Sequence, residues 1–241
     1  MSEEKIRINL YLAKAGICSR READRLVEAG RVTVNGGQAV SGMKVGVSGD
    51  VVCVDGKPVL LQEKTVVYAF YKPAGVMCTH ADPHADQTIF DLIETPERVS
   101  YAGRLDKESE GLLLLTNDGA MSRSMMHGAG GHEKEYLVQV DHPLTQDAVR
   151  KMEQGMYLKD LDRTTLPCRI SDVQGGSFHI VLTQGLNRQI RRMCLSCGYQ
   201  VKKLVRLRVM NVTVEGLGPG KIRKLTETEV ETLKGMLDAE A

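Results

Sequence analysis

The sequence predicts an α+β chain in two parts, a helix-helix-strand module at the N-terminus and a larger domain over a single sheet. Apolar residues at helical spacing are concentrated between Ile6 and Val27, whereas β-type runs dominate from Val66 onward. Strands and helices interleave irregularly there, without a glycine-rich nucleotide fingerprint or a fixed repeat, which argues against a doubly wound sheet. A chain of 241 residues can also bury a sizeable core without disulfides.

Over residues 6–15, Ile6, Leu10 and Ala13 recur at helical spacing beside Leu12, and Gly16 supplies a C-terminal stop. Ser19 and Glu22 make a Ser-x-x-Glu capping box, after which Ala23, Leu26 and Val27 give the apolar face of a second helix ending at Gly30. Val32-Thr33-Val34 before Asn35-Gly36 reads as a strand entering a tight hairpin. Residues 55–64, with Gly56-Lys57-Pro58 and a polar end, are the linker candidate. Beyond it, residues 66–71, 112–115, 136–140 and 178–182 read as strands. Helical spacing returns at Ile190, Met193, Cys194 and Cys197, followed by strand alternation at Val205, Leu207 and Val209 with Arg206 and Arg208 on the opposite face.

The formal net charge of +1 hides an asymmetry along the chain. Residues 181–224 hold ten basic side chains (Arg188, Arg191, Arg192, Lys202, Lys203, Arg206, Arg208, Lys221, Arg223, Lys224) against the single acid Glu215, and the balance reverses after Leu225. A local excess of this size is an electrostatic footprint for a polyanion. The six cysteines are scattered except for Cys194 and Cys197, with no secretory signal pattern and no long apolar run, so cytoplasmic location, reduced thiols and no membrane partner are expected. Cys194-x-x-Cys197 has no second ligand pair at matching spacing and lies on the stripe with Ile190 and Met193. It reads as buried packing, and no metal is expected.

Arg20 and Arg21 fall in the first turn of a helix, where the macrodipole disfavours cations. Either they point into water, or they clamp a phosphate together with the exposed amides of that turn. The stretch Arg7-x-x-x-Tyr11-Leu12-x-x-Ala15-Gly16-x-Cys18-Ser19-Arg20-Arg21-Glu22-Ala23, then Gly30-Arg31-Val32-x-Val34-Asn35-Gly36, resembles an S4 RNA-binding domain. The resemblance implies that residues 1–62 dock on structured RNA through Arg7, Lys14, Arg20, Arg21 and Arg31.

Gly103-Arg104-Leu105-Asp106 precedes the apolar run at 112–115 and the turn Asn117-Asp118-Gly119, which sets a carboxylate and a guanidinium at the mouth of a sheet. A carboxylate acts as a nucleophile or base only while ionised, and a nearby cation favours that state. Alone, an Arg-x-Asp is as compatible with a surface ion pair in a turn. Three further segments accompany it: Tyr71-Lys72-Pro73-x-Gly75-Val76, Glu133-Lys134-x-Tyr136-x-Val138 and Gly185-x-Asn187-Arg188-Gln189-Ile190-Arg191-Arg192-Met193. In this order they resemble the pseudouridine synthases of the small- and large-subunit ribosomal RNA family. Residues 182–194, Gly198-Tyr199 and Arg208-Val209-Met210-Asn211-Val212 look most like the F-type large-subunit (23S) branch.

That resemblance implies a catalytic domain at 66–237 with a mixed, mainly antiparallel sheet and flanking helices. It assigns Asp106 as the catalytic carboxylate, Arg191 as its paired arginine, Tyr136 as the active-site tyrosine and Arg104 as the wedge replacing a flipped uridine. Lys134, Arg188, Arg192, Lys202 and Lys203 are the expected backbone contacts, while Lys72 and Pro73 shape the site. Conversion of uridine to pseudouridine breaks C1′–N1 and makes C1′–C5 without net redox change, so no cofactor is expected. Whether Asp106 adds to C1′, adds to C6 or takes the 2′ proton stays open. His80, His84, His127 and His132 read as surface or RNA-facing. The expected partner is structured RNA, foremost large-subunit ribosomal RNA, met by a monomer. The alternatives are small-subunit ribosomal RNA or transfer RNA as substrate, and a non-catalytic RNA-binding ribosome-assembly factor.

Overall fold

A computed structural model describes residues 4–62, 64–80, 85–126 and 131–239. The chain forms two compact units. One runs to Val66 and includes Thr95–Val99 and Asn117–Gly119; the other contains Val67–Glu94, Ser100–Thr116 and the chain from Ala120.

In the first unit, β1 (Lys5–Arg7) runs into α1 (Ile8–Lys14), so the helix expected from Ile6 starts two residues later. Ile6 is instead a strand residue, paired antiparallel with Val45 of Lys44–Gly46. The stop at Gly16 is present with φ +77°, and α2 (Arg20–Glu28) is capped by Ser19, whose Oγ accepts from Glu22 N at 3.3 Å. Strand β2 (Val32–Val34) turns through Asn35 and Gly36, φ 51° and 83°, into β3 (Gly37–Gln38), as a two-residue hairpin with positive φ at both central positions requires. With β4 as Lys44–Gly46, the order β3-β2-β5-β6 is completed by β5 (Val52–Val54) and β6 (Lys57–Pro58). Ile8, Leu12, Ala23, Val27, Val32, Val45 and Val52 close its core. The expected linker therefore begins too early: Lys57 and Pro58 pair with β5, and buried Val59 offers its carbonyl to Tyr11 Oη at 3.2 Å.

The second unit is built on a nine-stranded sheet among the described residues. Its strands are β7 (Val67–Lys72), β8 (Ser100–Ala102), β9 (Glu110–Thr116), β10 (Lys134–Val140), β13 (Arg169–Gln174), β14 (Ser177–Leu182), β15 (Val201–Val209), β16 (Val212–Thr213) and β17 (Ile222–Lys224); β11 (Tyr157–Leu158) and β12 (Arg163–Thr164) form a separate ribbon. The order is β13-β14-β10-β15-β9-β7-β17, with β8 on β9 and β16 on β15. Only β15–β9 is parallel among these pairs, which makes the sheet mixed and mainly antiparallel.

Four helices complete the unit: α3 (Gly119–Met126), α4 (Gln146–Glu153), α5 (Gln189–Ser196) and α6 (Glu227–Ala239). Val67, Ala69, Leu112 and Leu114 pack with Met121, Met125, Leu233 and Leu237 of α3 and α6. Val138, Phe178, Ile180 and Leu204 pack with Ala148, Met152, Ile190 and Met193 of α4 and α5. Each Val, Leu, Ile, Phe or Met among them contributes about 1.5–3 kcal/mol on full burial. Cys194 is fully buried in the second core and its thiol is pushed up to about 12 by burial, so it packs as the apolar stripe requires.

Gly111 marks a close backbone approach in this sheet. It pairs with Arg206 across the parallel β15–β9 contact at φ +104°, and a Cβ there would lie 2.7 Å from Arg206 N and 3.0 Å from Arg206 C. Gly111→Ala is expected to destabilise the protein by about 3 kcal/mol, from steric overlap plus positive-φ strain, and a shifted denaturant midpoint at unchanged slope checks this.

Candidate active site

The registers of five strands align Ile180, Tyr136, Arg206, Gly111 and Lys72 in one row across the sheet. Directly opposed residues share a face, so Tyr136, Arg206 and Lys72 emerge on the same side. Tyr136 is half-buried against the core of α4 and α5. Lys72 and Arg206 are buried cations at 0% and 3% exposure, and among the described residues neither has a carboxylate partner.

Their partners are peptide carbonyls. Lys72 Nζ donates to Pro73 O at 2.8 Å, Ser109 O at 2.7 Å and Lys107 O at 3.3 Å. Arg206 Nε donates to Leu112 O at 2.6 Å, and its Nη1 makes a longer contact of 3.4 Å to Arg104 O. Leu105 N reaches Cys78 Sγ at 3.5 Å, and burial raises that thiol's pKa. The loop 104–109 is thus fastened through its backbone. Leu105 and Ser109 are buried, while Asp106 between them keeps a side chain 31% exposed and Arg104 is exposed.

Helix α5 supplies the cations that face this loop. Arg188, at its N-cap with φ 51°, and Arg191 stand three positions apart, which puts them on one helix side. Arg188 Nη1 lies 2.8 Å from Glu108 Oε2 and 3.8 Å from Asp106 Oδ2, and the hydrogen bond to Arg188 holds the Glu108 carboxyl below its ordinary value. Arg191 reaches Ser109 Oγ at 3.3 Å, Glu108 O at 3.4 Å and Val201 O at 3.4 Å. The expected Asp106–Arg191 pair is therefore replaced: Arg188 is the arginine beside Asp106, because Arg191 is drawn into the backbone behind the loop. Arg104 does not pair with Asp106 among the described residues.

Five of the ten basic residues at 181–224, Arg188 among them, meet acids from elsewhere in this unit. Arg192 meets Asp160 at 2.8 Å, Lys203 meets Glu110 at 2.9 Å, Arg208 joins Glu133 and Glu135 at 3.0 Å each, and Arg223 binds Glu229 at 2.8 Å. Arg206 is not on a solvent face: it is buried, with its guanidinium on Leu112 O and Arg104 O. Lys134 is half-buried with Nζ 3.1 Å from His132 O, and exposed Lys202 contacts Gln200. His132 is buried beside Ser124 O, contrary to the surface expectation; His80 is exposed and stacks on Phe90, and His84 and His127 lie outside the described residues. In the first unit Arg7, Lys14, Arg20 and Arg21 are exposed without a side-chain partner among the described residues, whereas Arg31 forms a two-point pair with Asp55.

Arg206, Cys78 and Glu108 are the site-forming residues that sequence reasoning missed. Alternation of Val205, Leu207 and Val209 makes Arg206 look solvent-facing; only its tertiary burial against Leu112 O and Arg104 O reverses that.

A model of the RNA pseudouridylate synthase family matches residues 66–196, and an S4 domain model matches residues 6–52. This chain belongs to the RNA pseudouridylate synthase family. The synthase is 42% identical over 99% of its length to the "Dual-specificity RNA pseudouridine synthase RluF" of Escherichia coli (strain K12), covering 81% of that protein. It is 33% identical to the "Ribosomal large subunit pseudouridine synthase B" of Bacillus subtilis (strain 168), with 96% of this chain and 97% of the relative covered. Among solved structures, one titled "Crystal structure of pseudouridylate synthase" superposes with TM-score 0.69 at 25% identity, covering 95% of this chain and 99% of the other.

Burial brings the Lys72 ammonium down to about 8, against the opposing pull of Cys78, Asp106 and Glu110. Below that pH it donates to all three carbonyls; deprotonation removes one donor and loosens the loop that carries Asp106. An unfolded lysine keeps its proton to about pH 10.4, so the unfolded state binds more protons across this window, and Lys72 makes the folded state gain stability as pH rises through it. Pseudouridine formation is therefore expected to fall as pH rises through about 8 without a matching loss of melting temperature. Paired pH profiles of kcat/KM and Tm, wild type against Lys72→Met, check this; a limb that persists in the variant, or one that tracks Tm, would contradict it.

Proposed function

We propose that this synthase isomerises one or a few uridines in large-subunit ribosomal RNA, with Asp106 as the catalytic carboxylate. The observation that carries the reading is the half-exposed Asp106, facing Arg188 at 3.8 Å, on a loop whose backbone Lys72 and Arg206 fasten from the sheet. The ribosomal target follows the printed name of the large-subunit relative.

A uridine stacked in folded RNA hides the atoms that react, and its extrusion costs a few kcal/mol. Exposed Arg104 fills the place it leaves. Tyr136 stacks on the extruded base, Arg188 keeps Asp106 charged and oriented, and Arg191 acts as a positioning residue by tying Glu108 and Ser109. The S4 module at 1–62 holds the RNA backbone through Arg7, Lys14, Arg20 and Arg21, with Arg31 available when RNA competes with Asp55. Lys134, Arg188, Arg192, Lys202 and Lys203 add contacts from the catalytic domain at 66–237. The protein works as a monomer in the cytoplasm without a cofactor. No helix among the described residues is long and apolar enough to cross a membrane.

A second reading adds another RNA, such as a transfer RNA, to the substrates. The words "Dual-specificity" in the name of the 42% identical relative favour it.

Asp106→Asn is expected to lower pseudouridine formation by at least about a thousandfold while leaving RNA affinity within about threefold. Pseudouridine mapping of ribosomal and transfer RNA from cells carrying only the variant checks both the residue and the target; an unchanged set of modified positions would contradict the assignment. Replacing Arg20 and Arg21 together by Ala is expected to weaken binding and flatten the log affinity against log salt slope by about two units, as loss of two phosphate contacts requires. A variant that binds more weakly at an unchanged slope would argue against phosphate contacts there.

A further inference from the structure

Arg206 lies beyond residues 66–196, the segment matched by the family model, yet it reaches the loop between Arg104 and Gly111 from beneath. It is 3% exposed and stands in register between Tyr136 and Gly111. Nε holds Leu112 O at 2.6 Å, Nη1 lies 3.4 Å from Arg104 O, and Nη2 is buried with no hydrogen-bond partner among the described residues.

A buried guanidinium without a carboxylate is costly, and carbonyl partners offset only part of that cost. A leucine or methionine would fill a strand centre without this penalty. What the arginine adds is reach: from one side chain it spans the carbonyl that follows Gly111 and the carbonyl of the residue proposed to replace the extruded base. Lys72 cannot substitute, because its three bonds go to Pro73, Lys107 and Ser109. Arg104 has an exposed side chain with no partner of its own among the described residues, so its aim is set through its backbone.

We infer that Arg206 is a positioning residue for base extrusion: it fixes the backbone of Arg104 against β9, and so sets where the Arg104 side chain enters the RNA. This rests on the proposed role of Arg104. The defect from losing Arg206 falls on the step that removes the uridine from its stack, not on the chemistry at Asp106.

The test compares two RNAs that differ only at the target, a stem-paired uridine and the same uridine freed by an opposing mismatch, with wild type, Arg206→Lys, Arg206→Gln and Arg104→Ala. Arg206→Lys keeps a cation that reaches one carbonyl, and Arg206→Gln keeps a neutral donor; both are scored per folded protein. On the paired uridine each is expected to lower single-turnover kcat about tenfold or more with KM within about twofold, and on the freed uridine the loss is expected to shrink to about threefold or less. Arg206→Lys placed on Arg104→Ala is expected to add nothing further, as two residues in one step require. Equal loss on both RNAs, additivity with Arg104→Ala, or failure of both Arg206 variants to fold would overturn the inference. If Arg104→Ala itself loses activity equally on both RNAs, it is the wedge reading of Arg104 that fails.

Discussion

Buried cations that answer peptide carbonyls hold the loop on which the rest of the site depends. Charge-assisted hydrogen bonds are worth about 1.5–3 kcal/mol each, and their loss leaves a desolvated group behind. Lys72 and Arg206 spend theirs on Pro73, Arg104, Lys107, Ser109 and Leu112, so backbone conformation on both sides of Asp106 is fixed from the sheet. The carboxylate itself is left half-exposed, with its nearest cation at 3.8 Å. Because the fastening uses backbone atoms, the side chains of Arg104 and Asp106 stay available to a substrate.

That fastening requires the single parallel strand pair. Setting β15 beside β9 brings Arg206 opposite Gly111, and only a residue without a Cβ lets the two backbones meet there. The same strand pairs with β10 on its other side and so places Tyr136 next to Arg206. Core packing supports the arrangement from two directions, with α4 and α5 over β10 and β14, and α3 and α6 over β7 and β9. A residue from each of four separate sequence segments then meets on one face or at its edge.

Electrostatics are divided by the same topology. Arg192, Lys203, Arg208 and Arg223 each meet an acid distant enough in sequence, or placed in another element, to be invisible as a local partner. Half of the basic residues at 181–224 are therefore paired within the catalytic unit. In the S4 unit the opposite holds: Arg20 and Arg21 stand exposed at the start of α2, where a macrodipole that disfavours them also attracts phosphate.

Capping, turn chemistry and apolar periodicity were legible because they act over a few residues. Ser19 caps α2, Asn35-Gly36 turns the hairpin, and Leu112 to Leu115 form the buried strand they resemble. The family was legible for a related reason, since four short motifs in order carry it without any knowledge of their contacts. What the sequence could not decide was who meets whom. Arg188 and Arg191 differ by one turn of α5, and both fit a pairing with Asp106 until Ser109, Glu108 and Val201 claim Arg191. Ile6 became a strand because Val45 was there to pair with it. Arg206 alternates like a surface residue, and only the tertiary contacts that bury it against Leu112 O and Arg104 O decide otherwise. Local conformation is set by atoms within a turn of one another, whereas a charge finds its partner only after strands far apart in the chain have chosen their order.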